Sequence, residues 1–207
     1  MAKPSAEQAG SGMHIHVSMN DAEGLNLFAS DDPEGTAMLR HAIGGMIASV
    51  GDCFALFAPH ANSYRRFKAN SYAPVAPTWG VNNRTVSFRI PAGPASSRHV
   101  EHRACGADAN PYLAVAGVLS GIHHGITHQI DPGSAVVGNG YDRDGSGDDK
   151  PPSNWFAAVD RFHGSKLMRE YLGDRFVDMF TIVKRVEQDR YFGHVPSIDY
   201  DWYLRNA

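Results

Sequence analysis

Two histidines at alternate positions are the first residues of this chain whose types and spacing could do chemistry. In the stretch GSGMHIHVSM, His14 and His16 follow two glycines and are separated by one residue. Successive side chains of a β-strand point to opposite faces, so both imidazoles would share one face. The other face would carry Met13, Ile15 and Val17. The pattern predicts a strand with an apolar side and a chemically active side.

Arginines and one carboxylate recur in three short segments farther along the chain. The segments read NSYRRF, NNRTVSFRIP and RHVEHR. In the last of them, strand alternation would put Glu101 and Arg103 on one face. Val100 and His102 would then lie on the opposite face, toward a core. A second strand therefore presents charged groups on one side only.

Arg84 and Arg89 lie five positions apart, which would put them on opposite faces of a regular strand. We therefore place Arg84 in a loop and Arg89 in a strand. A guanidinium donates two parallel hydrogen bonds to a carboxylate or phosphate, and a carboxylate beside an imidazole suits a divalent cation. One shared sheet face would be a site for Mg²⁺ or Mn²⁺ with phosphate and carboxylate ligands. The side chains on that face would be His14, His16, Arg89, Glu101 and Arg103.

Structural interpretations of the same residues stay open at this point. An isolated His-x-His on a strand is often a structural or surface feature. An exposed Arg–Glu pair contributes only about 0–1 kcal/mol to stability. Spacing alone does not choose between a metal–phosphate site and a polar surface.

Composition limits the classes of protein to which the chain can belong. Its 207 residues include 43% hydrophobic side chains, enough for a real core. A net charge of −3 gives no reason to expect nucleic acid or an anionic membrane as a partner. No apolar run approaches the roughly 18 residues of a membrane span, and the start lacks the order of a signal peptide. Cys53 and Cys105 are expected to be reduced thiols in a cytoplasmic protein.

Hydrophobic periodicity and turn residues predict an α+β fold. Strands are expected within residues 10–20, with a partner at 25–29, and within TVSFRIP and SRHVEHRAC. Helices are expected at 36–50 after an Asp32-Pro33 start, at 52–57, and at 112–126 after an Asn110 cap. We divide the chain into a sheet and motif region (1–130), a surface loop (131–152) and C-terminal helices (153–207). Within the loop, DRDGSGDD lacks the spacing of a calcium loop and is expected to be solvated. One face of the C-terminal helices would carry Phe176, Phe180, Val183 and Val186.

Four motifs resemble, in the same order, the C-terminal catalytic part of glutamine synthetases. They read GSGMHIHVS, NSYRRF, NNRTVSFRIP and VEHRACGADANPYLAVAGVLSGI. The resemblance runs from about residue 1 to 130 and continues more weakly through IDYDWYLRNA. It implies a curved antiparallel sheet packed with helices. It also implies an enzyme that forms γ-glutamyl phosphate from glutamate and ATP and then lets ammonia or an amine displace the phosphate.

The resemblance assigns roles residue by residue. It implies that His14 and Glu101 are ligands of one Mg²⁺ or Mn²⁺ ion. The implied nucleotide contacts are His16, Ser18, Arg84 and Arg89, and Arg84 also acts on the transferring phosphate. The implied glutamate contacts are Gly10, Arg66 and Arg103.

Two positions depart from the pattern of the family. Tyr72 stands in NSYAP, where ammonia-using members carry an acidic residue that helps to capture ammonium. The resemblance is also closer to the branch that ligates glutamate to putrescine or other amines. We therefore expect an acceptor larger than ammonia. His99 stands where many members have a second arginine after Arg98, which leaves a nucleotide contact unassigned.

The resemblance covers only the second half of the family's length. The N-terminal β-grasp domain and the carboxylates of a second metal site would lie in the missing half. We expect the complete enzyme to be a homo-oligomer and the isolated chain to be inactive, with an open sheet edge that favours self-association. The alternative is a non-catalytic remnant that acts as a structural or subunit-interaction module.

Overall fold

The protein is described by a computed structural model over residues 1–142 and 150–204. Its strands are β1 (Ile15–Val17), β2 (Trp79–Val81), β3 (Phe88–Ile90) and β4 (Val100–His102). Its helices are α1 (Ala37–Phe57), α2 (Pro111–His128), α3 (Trp155–Gly164), α4 (Lys166–Leu172), α5 (Asp174–Phe192) and α6 (Ser197–Tyr203). The predicted α+β class is confirmed.

The four strands form one open sheet in the order β1-β4-β3-β2. β4 pairs antiparallel with both β1 and β3, but β2 runs parallel to β3. The predicted antiparallel sheet is therefore mixed. Parallel strands usually need a crossover of about a dozen residues, but β2 ends at Val81 and β3 already begins at Phe88. Asn82 begins this connection in a left-handed conformation, with φ 50°, and its N–H still bonds to the carbonyl of Ile90.

The predicted alternation of side chains is confirmed in β1 and β4. His14 and His16 are exposed, whereas Ile15 packs against the core. β1 is shorter than the predicted strand over residues 10–20, and isolated bridges extend it at Gly12 and Asn20. Residues 25–29 meet it through the bridge at Asn20 and do not form a strand. The register places His16 and Arg89 beside Glu101, one on each side.

Helix α1 is continuous where the sequence predicts two helices. Thr36 caps its first turn, because the hydroxyl accepts from the N–H of Leu39, so the predicted start at Asp32 is wrong. Gly51 does not end the helix. The guanidinium of Arg161 from α3 lies against this position, since a Cβ here would be 2.3 Å from its Cζ. Helix α2 begins as predicted, with Asn110 as its cap and Pro111 in its first turn.

The C-terminal segment folds into α3, α4, α5 and α6. On α5 the predicted apolar face is only partly correct, because Phe176 and Phe180 pack against the core but Val183 and Val186 are about half exposed. The buried stripe is one position away and includes polar side chains: Val177, Thr181, Lys184 and Gln188. Most of DRDGSGDD lies outside the described residues. Within 1–142 and 150–204, no helix is long and apolar enough to cross a membrane.

The apolar side of the sheet packs on α1 and forms the core beneath the polar side. Phe88, Ile90 and Val100 are fully buried and belong to one cluster with Phe54 and Phe57 of α1. The sheet is thus covered on one face, and its other face presents the charged residues of β1, β3 and β4. This arrangement positions the candidate site.

Candidate functional site

The carboxylate of Glu101 is the centre of the polar sheet face. Arg103 donates through Nη1 to Oε1 at 2.8 Å, and Arg89 donates through Nη1 to Oε2 at 2.8 Å. His14 Nδ1 also lies 2.8 Å from Oε1. Glu101 is only 3% exposed, so these contacts replace water around its charge. The predicted juxtaposition of His14 and Glu101 is present.

Electrostatics keep the Glu101 carboxylate ionised. Burial by itself would raise its pKa, but the hydrogen bonds from His14 and Arg89 and the charge of Arg103 outweigh burial and hold the pKa well below its usual range. A buried charge is tolerated only when it is paired and hydrogen-bonded. Glu101 is therefore a permanent anion that orients two guanidinium groups.

Both guanidinium groups are fixed by second contacts. Arg89 Nη2 donates to Oδ1 of Asn82 at 2.7 Å. Arg103 Nη2 donates to the backbone carbonyl of Arg84 at 2.9 Å. Because Asn82 and Arg84 both belong to the loop between β2 and β3, that loop and the sheet hold each other in position.

The two exposed imidazoles of β1 have different partners. His16 Nε2 lies 4.0 Å from Oε1 of Glu101, and His16 Nδ1 lies 3.0 Å from Nε2 of His99. The other nitrogen of His99 donates to the carbonyl of Ser97 at 2.7 Å, because a carbonyl only accepts. Burial lowers the pKa of His16, although the charge of Glu101 opposes that effect. His99, which departs from the family pattern, thus supports His16.

A cleft of about 600 Å³ opens beside these imidazoles. His16, Ser18, Ser97 and His99 line it. The structure therefore brings together two of the residues with implied nucleotide contacts, His16 and Ser18. Whether a nucleotide occupies the cleft stays a prediction.

Arg84 lies in a loop, as the spacing predicts, and its side chain is exposed. It lines a different cleft of about 780 Å³, together with Asp32, Glu34 and Asn82. Asn82 connects the two arginines, because it accepts from Arg89 and also lines the Arg84 cleft. The role of Arg84 on a transferring phosphate stays a prediction.

Arg66 is a buried brace in this structure. It is 4% exposed, and its terminal nitrogens donate to the carbonyls of Ala104 at 2.9 Å and Arg103 at 3.0 Å. Gly10 lies directly against it, since a Cβ there would be 2.9 Å from Cγ of Arg66. The structure brings Gly10, Arg66 and Arg103 together beside the end of β4. Their contact with glutamate stays a prediction.

Sequence reasoning missed two residues that support the site. Asn82 orients Arg89, and its place in a pair of asparagines before Arg84 is the signal that could have found it. Tyr141 donates its hydroxyl to the carbonyl of Ala73 at 3.2 Å. It lies in a stretch that reads only as surface loop, where no periodic pattern marks a buried contact.

The donor set agrees in part with the implied divalent cation. His14 and Glu101 present neighbouring nitrogen and oxygen donors, as Mg²⁺ and Mn²⁺ accept. In the parts of the chain that the structure describes, no three His, Cys, Asp or Glu side chains are grouped closely enough to hold an ion. The pair would therefore supply two of the roughly six ligands that Mg²⁺ needs.

The fold and this site define a catalytic domain of the glutamine synthetase class. The chain belongs to that family, because the family model described as "Glutamine synthetase, catalytic domain" matches residues 1–203. The family resemblance of the four motifs is confirmed.

Similar proteins include enzymes named for amide products other than glutamine as well as glutamine synthetases. The chain is 39% identical to gamma-glutamylputrescine synthetase PuuA of Escherichia coli over its whole length, and covers 43% of that protein. It is 36% identical to gamma-glutamylethanolamide synthetase GlnA4 of Streptomyces coelicolor over 97% of the chain and 42% of that protein. The solved structure of GmaS without ligand superposes with a TM-score of 0.86 at 31% identity over 99% of the chain and 47% of GmaS. The chain thus spans less than half of these relatives.

His102 makes the stability of the folded protein sensitive to acid. Its ring is 1% exposed and packs 4.6 Å from the ring of Phe57 and 5.5 Å from that of Phe88, measured between centroids. Burial first, and then the charges of Arg66 and His14, lower its pKa to about 3. The unfolded chain binds this proton near pH 6.5, so between the two values the unfolded state binds more protons than the native state.

We therefore expect stability to fall as the pH drops below 6.5, by about 2 kcal/mol from this histidine alone at pH 5. Urea unfolding of the protein at several pH values, compared with His102→Leu, measures the contribution. The variant should lose less stability than the parent over the same range. Parallel curves for the two proteins would contradict the assignment.

Proposed function

We propose that the complete protein is an ATP-dependent ligase that joins glutamate to an amine through γ-glutamyl phosphate. The observation that carries this proposal is the convergence of Arg89, Arg103 and His14 on the buried carboxylate of Glu101. Phosphoryl transfer needs little covalent chemistry from the protein. It needs positioned cationic groups that neutralise charge on the phosphate. The polar sheet face supplies such groups on a rigid support.

In this proposal each side of the sheet face has a distinct task. His16 and Ser18 contact the nucleotide in the 600 Å³ cleft, and Arg89 holds its phosphates. His14 and Glu101 would hold a Mg²⁺ or Mn²⁺ ion, which when bound neutralises phosphate charge. Arg84 meets the transferring phosphate from its exposed loop position. Glutamate lies beside Gly10, Arg66 and Arg103.

We propose an acceptor amine larger than ammonia, and Tyr72 is the reason. Its side chain is 68% exposed, and its own backbone carbonyl lies 3.5 Å from Nη2 of Arg103. A neutral phenol ring does not supply the anion that would favour ammonium, but it offers an apolar wall to an alkylamine. The names of PuuA and GlnA4 as amine ligases support the same acceptor class.

The proposed location is the cytoplasm, with a homo-oligomer as the active form and neither nucleic acid nor a membrane as partner. Cys53 and Cys105 are buried and free, which agrees with a reducing compartment. Exposed apolar side chains on α5, α6 and the residues around them suit contacts with other parts of the assembly.

The experiment compares acceptors with the complete protein, glutamate and ATP. Phosphate release is measured with ammonia, ethanolamine, putrescine and other di- or polyamines in turn. We expect at least one amine to be used more efficiently than ammonia. Preference for ammonia over every amine would overturn the acceptor assignment. A folded protein without turnover on any acceptor, and without Mn²⁺-dependent ATP binding in calorimetry, would support the structural module instead.

Two substitutions at Tyr72 separate charge from size. Tyr72→Glu adds a carboxylate, and we expect it to raise the efficiency with ammonia relative to the amines by about tenfold, as a partly screened charge pair provides. Tyr72→Gln introduces a side chain of the same shape as glutamate but without its charge. We expect its efficiency with ammonia to stay low. Equal behaviour of the two variants would show that charge at this position does not select the acceptor. The isolated 207-residue chain is the negative control and is expected to be inactive.

A further inference from the structure

The backbone around Tyr72 is strained. Tyr72 has a φ of 56°, and Asn70, two residues earlier, has a φ of 61°. Residues other than glycine rarely adopt this left-handed conformation, and a bulky aromatic residue does so less often than asparagine. Such strain persists only where surrounding contacts hold it, and it is concentrated at functional sites. The contacts that hold Tyr72 therefore identify what controls this segment.

Several hydrogen bonds hold the strained segment, and Ser71 Oγ donates to the carbonyl of Arg66 at 3.1 Å. The hydroxyl of Tyr141 donates to the carbonyl of Ala73 at 3.2 Å. Arg103 Nη2 also approaches the carbonyl of Tyr72, at 3.5 Å. The phenol of Tyr141 and the guanidinium of Arg103 thus contact the backbone of two consecutive residues of the strained segment.

Tyr141 is itself anchored by the loop between β2 and β3. The N–H of Gly140 donates to Oγ1 of Thr85 at 2.7 Å, and Asn83 donates to the carbonyl of Gly138 at 2.8 Å. A Cβ at Gly140 would lie 2.8 Å from Oγ1 of Thr85, so the close approach requires glycine. The position of the phenol is therefore fixed by the loop that carries Arg84.

Burial keeps the hydroxyl of Tyr141 a neutral donor. Burial raises the pKa of its hydroxyl, although the backbone of Tyr72 and the charges of Arg103 and Arg66 act in the opposite direction. The hydroxyl therefore keeps its proton at physiological pH and can donate to Ala73. Its nearness to Arg103 and Arg66 places it above the residues proposed to bind glutamate.

We propose that Tyr141 is a positioning residue for the acceptor amine. Its hydroxyl holds the segment around Tyr72 in the strained conformation that presents the Tyr72 ring at the acceptor side of the site. The inference rests on the proposed function, in which Tyr72 selects an amine. It adds that acceptor binding depends on a residue outside the four motifs, through the backbone of the segment and not through direct contact.

Tyr141→Phe in the complete protein removes the hydroxyl and keeps the ring. We expect the KM for the preferred amine to rise about five- to tenfold, the equivalent of one lost hydrogen bond. The kcat and the KM for ATP should stay within about twofold of the parent, because the sheet face is unchanged. Amide hydrogen exchange over residues 70–74 should become faster, and exchange in β3 and β4 should not. Tyr112→Phe is the matched control, since Tyr112 is 84% exposed on α2.

The two measurements distinguish the possible failures. Unchanged exchange over residues 70–74 in Tyr141→Phe would show that the Tyr141 hydroxyl does not hold this segment. That result would overturn the inference whatever reaction the protein performs. Faster exchange with an unchanged KM for the amine would show that the hydroxyl holds the segment but does not serve the acceptor, and would leave the proposed ligase function intact. Absence of amine use by the parent protein would refute the proposed function, and with it the acceptor role of Tyr141.

Discussion

Glu101→Gln is expected to reduce ligase turnover by about 10³-fold and the free energy of unfolding by about 3 kcal/mol or more. Glutamine has nearly the same volume as glutamate, so the change removes the charge without opening a cavity. Its amide cannot accept from Arg89, Arg103 and His14 together, and its NH₂ group would face one of their donors. Two guanidinium groups would then be left in a largely dry site without a counter-charge.

Activity and stability should be measured on the same preparation of the complete protein. Phosphate release under saturating substrates gives the turnover, and urea unfolding gives the stability. Glu23→Gln is the matched control, because Glu23 is exposed in the turn after β1 and should change neither quantity. Wild-type turnover by Glu101→Gln would remove the central carboxylate from the proposed mechanism.

Gly45→Ala is expected to destabilise the fold by about 3 kcal/mol or more, at the upper end for overpacking. A Cβ at Gly45 would lie 2.1 Å from the carbonyl oxygen of Gly121 and 2.4 Å from Cα of Gly125. These atoms are backbone, so they cannot rotate away, and α1 and α2 would have to separate. The two helices lie against each other in the core that supports the sheet.

The destabilisation expected for Gly45→Ala is opposite to the usual effect of alanine in a helix. In an uncrowded helix, Gly→Ala stabilises by up to about 1 kcal/mol, because alanine has the higher helix propensity. Gly164→Ala in α3 is the control, since nothing lies within 4 Å of its added Cβ. Thermal and urea unfolding should therefore move in opposite directions for the two variants. Equal stabilisation of both would mean that α1 and α2 are not in close contact at Gly45.

Local patterns predicted the parts of the fold that depend on local rules. Alternation in β1 and β4 correctly separated the polar face from the buried one, and the Asn110 cap correctly began α2. Predictions failed where a distant contact overrides a local signal. The sequence predicts separate helices at 36–50 and 52–57, but α1 runs through Gly51 without a break. The predicted apolar face of α5 includes Val183, which is half exposed, whereas Lys184 and Gln188 are buried.

The sequence by itself determined the chemistry of this protein: which strands carry imidazoles, guanidinium groups and a carboxylate, on which side, and to which family the motifs belong. Only the tertiary structure decided which of those groups contact one another and which are buried. It joined His14, Arg89 and Arg103 on Glu101, gave β2 its parallel pairing, buried Arg66 as a brace and brought Tyr141 to Tyr72. The physical reason is the distance along the chain over which each interaction acts. Side-chain alternation and helix caps depend on neighbours in the chain, whereas burial and pairing depend on residues that only folding brings together.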